Sequence, residues 1–513
     1  MNEIVMRLGK LRNAMKESGA DWFFCSSDDY HGSEYVADYF KVREHFTGFT
    51  GENAFLIVGS NEALMWTDGR FFIQAEIQLM GTGIELMKMD EPGVPTINEF
   101  VEQNVKEGQT LLFDGRMVSY SLGQKICERV EKNGGSVVYT KDIVDSLWDE
   151  RPSRPESKVQ ILSNELTGEK TSEKLQKIRS EMKKLNCEYH FIASLDDIAW
   201  ITNLRGKDIE CNPVFLSYML ISDEKAVIFM QKNQVTNEIS DYLCGEGIEI
   251  EDYDEVFNYL EGIEGKKNIL VYEYGVNYCS YKLLSQKGNV ILQINPSTLE
   301  KSVKNETERR LLFECYLRDS VCVIKFIYWL KNIADVSNLT ENDASDYLDG
   351  LRRKVSDYLD LSFPTIAGYA DNGAIIHYTA TKESNKKLEK EGFLLVDSGG
   401  QYLTGTTDVT RTIALGKLTD KMKLHYTKIA IGMLSLADAK FISGCTGRNL
   451  DILARKPLWE LGLDYRHGTG HGIGHVLNVH EGPQSFRWKY NERSKEYPLK
   501  PGMVTSDEPG LYI

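Results

Sequence analysis

Histidine is scarce in this chain, nine in 513 residues, and C-x-x-C pairs and long apolar runs are missing altogether. The nine cysteines are scattered from Cys25 to Cys445 and odd in number. That excludes the dense, even framework of a small secreted disulfide protein and reads as reduced, mostly structural thiols. No stretch approaches the roughly 20 apolar residues that a membrane-spanning helix needs. Met1 to Phe24 mixes Glu3, Arg7, Lys10, Arg12, Lys16 and Glu17 with apolar residues at helical spacing, which reads as an amphipathic helix and not a secretion signal. Positive charge is in deficit as well: 60 Lys+Arg against 76 Asp+Glu, a formal net charge of -16. Phosphate binding is driven by Lys and Arg, so a duplex nucleic acid is not an expected partner. The expectation is a soluble, cytoplasmic protein with neither membrane nor nucleic acid as a partner. Composition leaves enzyme and scaffold equally open.

A chain of 513 residues exceeds what one hydrophobic core supports. Two proline-marked segments divide it, Arg151-Pro152-Ser153-Arg154-Pro155 and Asn295-Pro296-Ser297. They give three expected domains, near 1–152, 153–298 and 299–513. The first two read alike. Leu11 to Phe24 and Ile178 to Phe191 are each a helix running into a strand, and Ser-rich Asp-Asp pairs follow at Asp28-Asp29 and Asp196-Asp197. Then come buried strand, turn and strand, at Ala54 to Thr67 in one and Tyr218 to Met230 in the other. Helix–strand alternation with short turns predicts two related α/β domains with mixed or parallel sheets. The third piece opens on a predicted helix with Asn305 as N-cap and Glu308 three residues on, and apolar residues from Leu311 to Ile333 expected to bury one broad face.

Candidate chemistry lies in that third piece. Phe393 to Val396 is a buried-strand run ending on Asp397, and a threonine-rich stretch follows with Asp408 inside it. This predicts Asp397 and Asp408 on adjacent strands of a hairpin. Four of the nine histidines crowd into one segment, His467, His471, His475 and His480, with glycines between them. Glycine allows the close backbone approach that brings imidazoles towards one point. The spacing is not that of a zinc-protease helix, since H-E-x-x-H is absent. Thr505 to Gly510 adds Glu508 beside a turn. Any one of these residues alone is more often structural; the cluster together points to metal.

GAIIHY (Gly373 to Tyr378), VDSGGQYLTGTTDVTRT (Val396 to Thr412), HGTGHGIGHVLNVHEGP (His467 to Pro483) and GMVTSDEPG (Gly502 to Gly510) resemble the successive motifs of the pita-bread metallopeptidases. Within them the chain is similar to aminopeptidase P in its long, three-domain cytosolic form. Methionine aminopeptidases lack two such N-terminal domains, and prolidases and creatinases generally have one. Thr67 to Phe72 resembles the T-D-G-R-Y-F motif of the long form. The implied fold class is α/β (α+β): two related creatinase-N-type domains, then a pita-bread metallopeptidase domain. The implied activity is removal of an N-terminal residue that precedes proline, by a hydroxide bridging two divalent metals.

Matched residue by residue, the resemblance implies Asp397, Asp408, His471 and Glu508 as metal ligands, with Glu508 also the proton carrier. It implies His377, His467 and His480 as active-site histidines and Arg70 as a possible substrate contact; His475 receives no role. The resemblance implies two divalent ions in a complete chain, manganese first with cobalt or zinc as alternatives, and carboxylate-rich ligation with one imidazole suits manganese as a hard cation. Peptides with proline second are the expected substrates and a homodimer the expected assembly. The family pattern continues past Gly510 to a strand bearing a second, metal-bridging glutamate, whereas this sequence stops at Ile513. The expectation is therefore a chain in which one metal position is weakly held, with three explanations open: a fragment cut from a longer protein, a natural truncation that folds without catalysing, or a site kept by substitute ligands. The rival reading is a non-catalytic pita-bread module that binds peptides or proteins. Prolidase-like dipeptide cleavage is disfavoured by the doubled N-terminal domains.

Overall fold

A computed structural model describes residues 2–333, 335–382, 384–489 and 496–513. The first core strand, Trp22–Cys25, is buried along its whole length, as expected of an unbroken apolar run covered on both faces. The helix before it, Glu3–Glu17, is capped by the Asn2 side chain on the Ile4 amide and buries Ile4, Leu8, Leu11 and Met15 against the sheet. The same arrangement returns at helix Thr171–Lys184 and strand Tyr189–Ile192, with Leu175, Ile178 and Met182 buried.

Each unit has a six-stranded sheet, and in each sheet the spatial order by position in sequence is fourth, third, second, first, fifth, sixth. The pairing senses match as well. First to second and second to third are antiparallel; third to fourth, first to fifth and fifth to sixth are parallel. Six strands with five identical senses make the two units copies of one topology, the likeness that the sequence carried in its helix–strand–turn order. No described helix is long and apolar enough to cross a membrane.

The third unit begins with helix Glu306–Asn332, whose Asn305–Glu308 capping box is formed in both directions. Its buried face carries Leu311, Leu312, Cys315, Cys322, Val323, Phe326 and Leu330. The apolar residues do not all lie on that face. Phe313, Leu317, Val321, Ile324 and Tyr328 form an exposed stripe, because they fall on the side of the helix turned away from the sheet. Asp319 is fully buried on the sheet-facing side and takes both Nε and Nη2 of Arg352, 2.7 and 3.1 Å, plus the Tyr402 hydroxyl at 2.6 Å. These contacts tie the long helix to helix Glu341–Arg352 and to strand Gly400–Tyr402.

Strand Phe393–Ser398 pairs antiparallel with both Ile366–Tyr369 and Val409–Ala414. The expected simple hairpin is interrupted. Between its arms lie Gly400–Tyr402 and Gly405–Thr406, which pair with each other, and Gly400–Tyr402 also pairs with Tyr358–Leu361, in a separate small sheet. The histidine-rich segment forms strand Gly470–Gly472, paired with Glu481–Phe486. Buried Lys301 and Lys304, from the end of the middle unit, both reach Glu481 and join the two units there.

Candidate metal centre

Asp397 pairs across the strands with Thr410, so Asp408 stands two residues from that register, at the mouth of the same ladder. The long helix steadies it: the Asp408 amide donates to the Tyr316 hydroxyl at 3.3 Å. His471 lies in strand Gly470–Gly472, and its backbone pairs with the 505–508 segment. Ser506 N donates to His471 O at 2.8 Å, and Glu508 N to Thr469 O at 2.8 Å. A side chain at Gly470 could not coexist with that approach, since a Cβ there would lie 2.1 Å from the Ser506 carbonyl oxygen. At Gly472 it would lie 2.3 Å from the Glu481 carbonyl oxygen. The glycines between the histidines are there for close strand contact, and that contact delivers Glu508 to His471.

The result is a triangle. His471 Nε2 is 3.0 Å from Glu508 Oε1 and 3.3 Å from Asp408 Oδ2. One ligand atom from each of the three lies within 4.8 Å of the other two. His471 Nδ1 is 2.8 Å from the Gly472 carbonyl, which as acceptor fixes the tautomer and aims Nε2 into the triangle. Glu508 is held in turn by the Ser506 hydroxyl at 2.7 Å. Burial works against a charged His471, but hydrogen bonds and charge from Asp408 and Glu508 outweigh it and raise its pKa well above the ordinary range.

Asp397 lies outside that 4.8 Å group, on the neighbouring strand. Its Oδ1 atom is buried without a hydrogen-bond partner. Burial first, and the charge of Asp408 second, push its pKa up to about 7. An unpartnered buried carboxylate oxygen beside a second carboxylate is a place for a cation, which would satisfy the oxygen and offset the repulsion. The donor set of three carboxylates and one imidazole therefore fits a divalent metal.

Of the other sequence-predicted residues, His480 stands directly beside this triangle. The His480 ring stands 4.4 Å from that of His471, edge to face. His480 Nδ1 is 2.8 Å from Glu34. Burial pulls His480 down, yet the Glu34 carboxylate overrides it and the net shift is upward. For Glu34 itself burial opposes ionisation, but His480 and Asn478 take its pKa down to about 2. His377, in left-handed backbone at φ +58, has its Nδ1 3.4 Å from Glu52 and its ring 6.1 Å from Phe71. His467 Nε2 meets the Tyr512 hydroxyl at 3.0 Å, and burial lowers its pKa. Arg70 grips Asp68 through Nε and Nη2, both 2.9 Å, with its guanidinium over Phe71. His475 turns away to the Leu166 carbonyl at 3.0 Å.

Sequence reasoning missed Glu34, Glu52 and Asp507. The first two come from the first unit, more than 300 residues from the histidines they meet, and no motif marks them. Both Asp507 oxygens are buried without partners, and burial, then Glu508, pushes its carboxyl up to about 7.

Residues 312–513 match the metallopeptidase family M24. Residues 7–147 and 150–308 each match a creatinase/prolidase N-terminal domain. Xaa-Pro aminopeptidase 1 of Dictyostelium discoideum is 36% identical over 522 residues, spanning 99% of this chain and 82% of the relative. A probable Xaa-Pro aminopeptidase P of Metarhizium robertsii is 38% identical over 526 residues, spanning 99% and 84%. The chain belongs to the Xaa-Pro aminopeptidases of family M24. It is an aminopeptidase by that membership, with two creatinase-N domains ahead of a pita-bread catalytic domain. The crystal structure of X-prolyl aminopeptidase from Caenorhabditis elegans, described as a cytosolic enzyme with a di-nuclear active site, superposes with a TM-score of 0.93. It is 31% identical and covers 100% of this chain and 86% of that one. The Xaa-Pro dipeptidase of Bacillus anthracis, 25% identical, matches 67% of this chain at a TM-score of 0.54.

Proposed function

We propose that this chain hydrolyses, with divalent metal, the bond after the first residue of peptides whose second residue is proline. The observation that carries the reading is the Asp408–His471–Glu508 triangle with the partnerless Asp397 oxygen beside it. Asp397, Asp408, His471 and Glu508 would hold the metal, with manganese preferred and cobalt or zinc as alternatives, and the di-nuclear site of the nematode relative supports a pair of ions. Bound metal supplies Lewis acidity and a lowered pKa for the attacking water.

The chain's own side chains do the rest. Glu508, hydrogen-bonded to Ser506 and adjacent to His471, takes the proton of the attacking water and passes it to the leaving nitrogen. His480, whose charged form the Glu34 carboxylate favours, donates to the oxygen that becomes negative as the carbonyl turns tetrahedral. His377, set beside Glu52 and Phe71, donates to the substrate backbone. His467 steadies the region through Tyr512. Arg70 is committed to Asp68 in this arrangement, so a substrate contact by Arg70 would be shared with that carboxylate. A bond to proline has no N–H to hydrogen-bond and a fixed ring, so a site relying on carbonyl polarisation suits it. A cytoplasmic location and a homodimer follow from the same family reading.

A comparison of three substrates tests it. With manganese, the chain should release the first residue of an X-Pro-X tripeptide at least tenfold faster than that of X-Ala-X or of the dipeptide X-Pro. Equal rates on the two tripeptides would remove the proline reading; preference for the dipeptide would make it a prolidase.

A further inference from the structure

The turn that leads from His471 to His480 is held from outside. Its carbonyls at residues 475, 476 and 477 all accept side-chain hydrogen bonds from other parts of the chain. Arg205, from the middle unit, gives Nη2 to His475 O at 3.3 Å and Nε to Val476 O. Gln401 Nε2 and the Thr406 hydroxyl give theirs to Leu477 O at 2.8 and 3.1 Å. The next amide, Asn478 N, donates to Asp196 of the middle unit at 3.0 Å. Val476 itself is fully buried with φ +53. A β-branched residue in left-handed backbone is strained and persists only where its surroundings over-determine it.

Arg205 is costly to keep there unless the contact matters. Its side chain is among the largest fully buried ones, 2% exposed. Among the described residues its hydrogen bonds run to carbonyls, the remaining pair being Ala199 O at 2.6 Å and Leu204 O at 2.9 Å. The nearby charges of Asp196, Glu308 and Glu481 act without contact, and burial draws the guanidinium down to about 10. An uncharged apolar residue would pack the middle unit more cheaply, but it could not bridge two carbonyls of a strained turn. The fork geometry of a guanidinium can.

We propose that Arg205 is a positioning residue: by clamping the His475 and Val476 carbonyls it fixes the left-handed turn that sets His480 beside His471. This gives the middle domain a role in catalysis beyond spacing, and it rests on the reading of His480 as donor to the reacting carbonyl. The chain of contacts continues from Val476 through Asn478, whose side chain holds Glu34 at 3.1 Å, to His480 on the same carboxylate.

The test compares wild type, Arg205→Ala and Arg205→Lys by hydrogen exchange in metal-free protein and by steady-state kinetics on an X-Pro-X peptide. Arg205→Ala should speed exchange in peptides covering 474–480 at least tenfold, with strand Ser217–Ser222 unchanged. Its kcat should fall at least tenfold with KM within about twofold, and millimolar guanidinium should restore part of kcat. Arg205→Lys, which keeps the charge without the fork, is the variant to read should the alanine variant not fold, and it should show the same local loosening. Unchanged exchange at 474–480 in a folded variant overturns the proposal. So does exchange that rises equally throughout the chain, or a kcat and KM that stay at wild-type values. If wild type cleaves nothing, the proposed function fails, while the exchange pattern still decides whether Arg205 holds the turn.

Discussion

Asp397 sits where a carboxylate is not stable as an anion without help. Its folded pKa of about 7 lies above the ordinary 3.8. The folded chain therefore binds this proton more tightly than the unfolded chain does. The stabilising share is fully present below the unfolded value and is lost as pH rises through the folded one. Asp397→Asn removes that titration. In metal-free protein it should raise the melting temperature at pH 8 and change it little at pH 4, and with saturating manganese the order at pH 8 should reverse. A lower melting temperature for Asp397→Asn at pH 8 without metal would show that the site is not charge-strained. The residues of the candidate centre were readable from sequence because each stands in a short local motif. Glu34 and Glu52 were not, since their effect depends on a docking between units that no local spacing encodes.

Elements carry the site through close approach. Strand Gly470–Gly472 meets the 505–508 segment so tightly that Gly470→Ala must displace one of them. Manganese affinity should fall at least tenfold, by calorimetry. Gly9→Ala, where a Cβ meets open space within helix Glu3–Glu17, should leave affinity unchanged and add about 1 kcal/mol of stability. Equal affinities for wild type and Gly470→Ala would refute the account of the glycines. The long helix shows where sequence reading stops. Its capping box predicted the start, Asn305 with Glu308, because cap chemistry is local. Its apolar content did not say which residues would be covered, because Leu312 and Phe313 are equally apolar and only packing separates them, 4% against 68% exposed. The hairpin around Asp397 and Asp408 was expected in outline, yet Gly400–Tyr402 and Gly405–Thr406 leave it for another sheet, a tertiary choice made by Tyr358–Leu361.

At the scale of the whole molecule, the two six-stranded units repeat one topology and do different work. The first supplies Glu34 and Glu52 to the histidines; the second supplies Arg205 and Asp196 to the turn that carries one of them. The duplication was visible in sequence because strand order follows helix–strand–turn order, whereas the division of labour depends on which faces dock. If the first unit sets the charge of His480, Glu34→Gln should lower the pH at which the His480 ring titrates, followed by NMR; an unmoved titration would separate the two units functionally. The central claim is that these converging residues make a metal-dependent hydrolase. Its most direct test is the rate of N-terminal residue release from an X-Pro-X peptide by this 513-residue chain, titrated with manganese. Saturable activation that is abolished by a chelator and absent in Asp408→Ala is the predicted result. A folded chain that binds manganese and releases nothing would contradict the claim and leave a peptide-binding module on a peptidase fold.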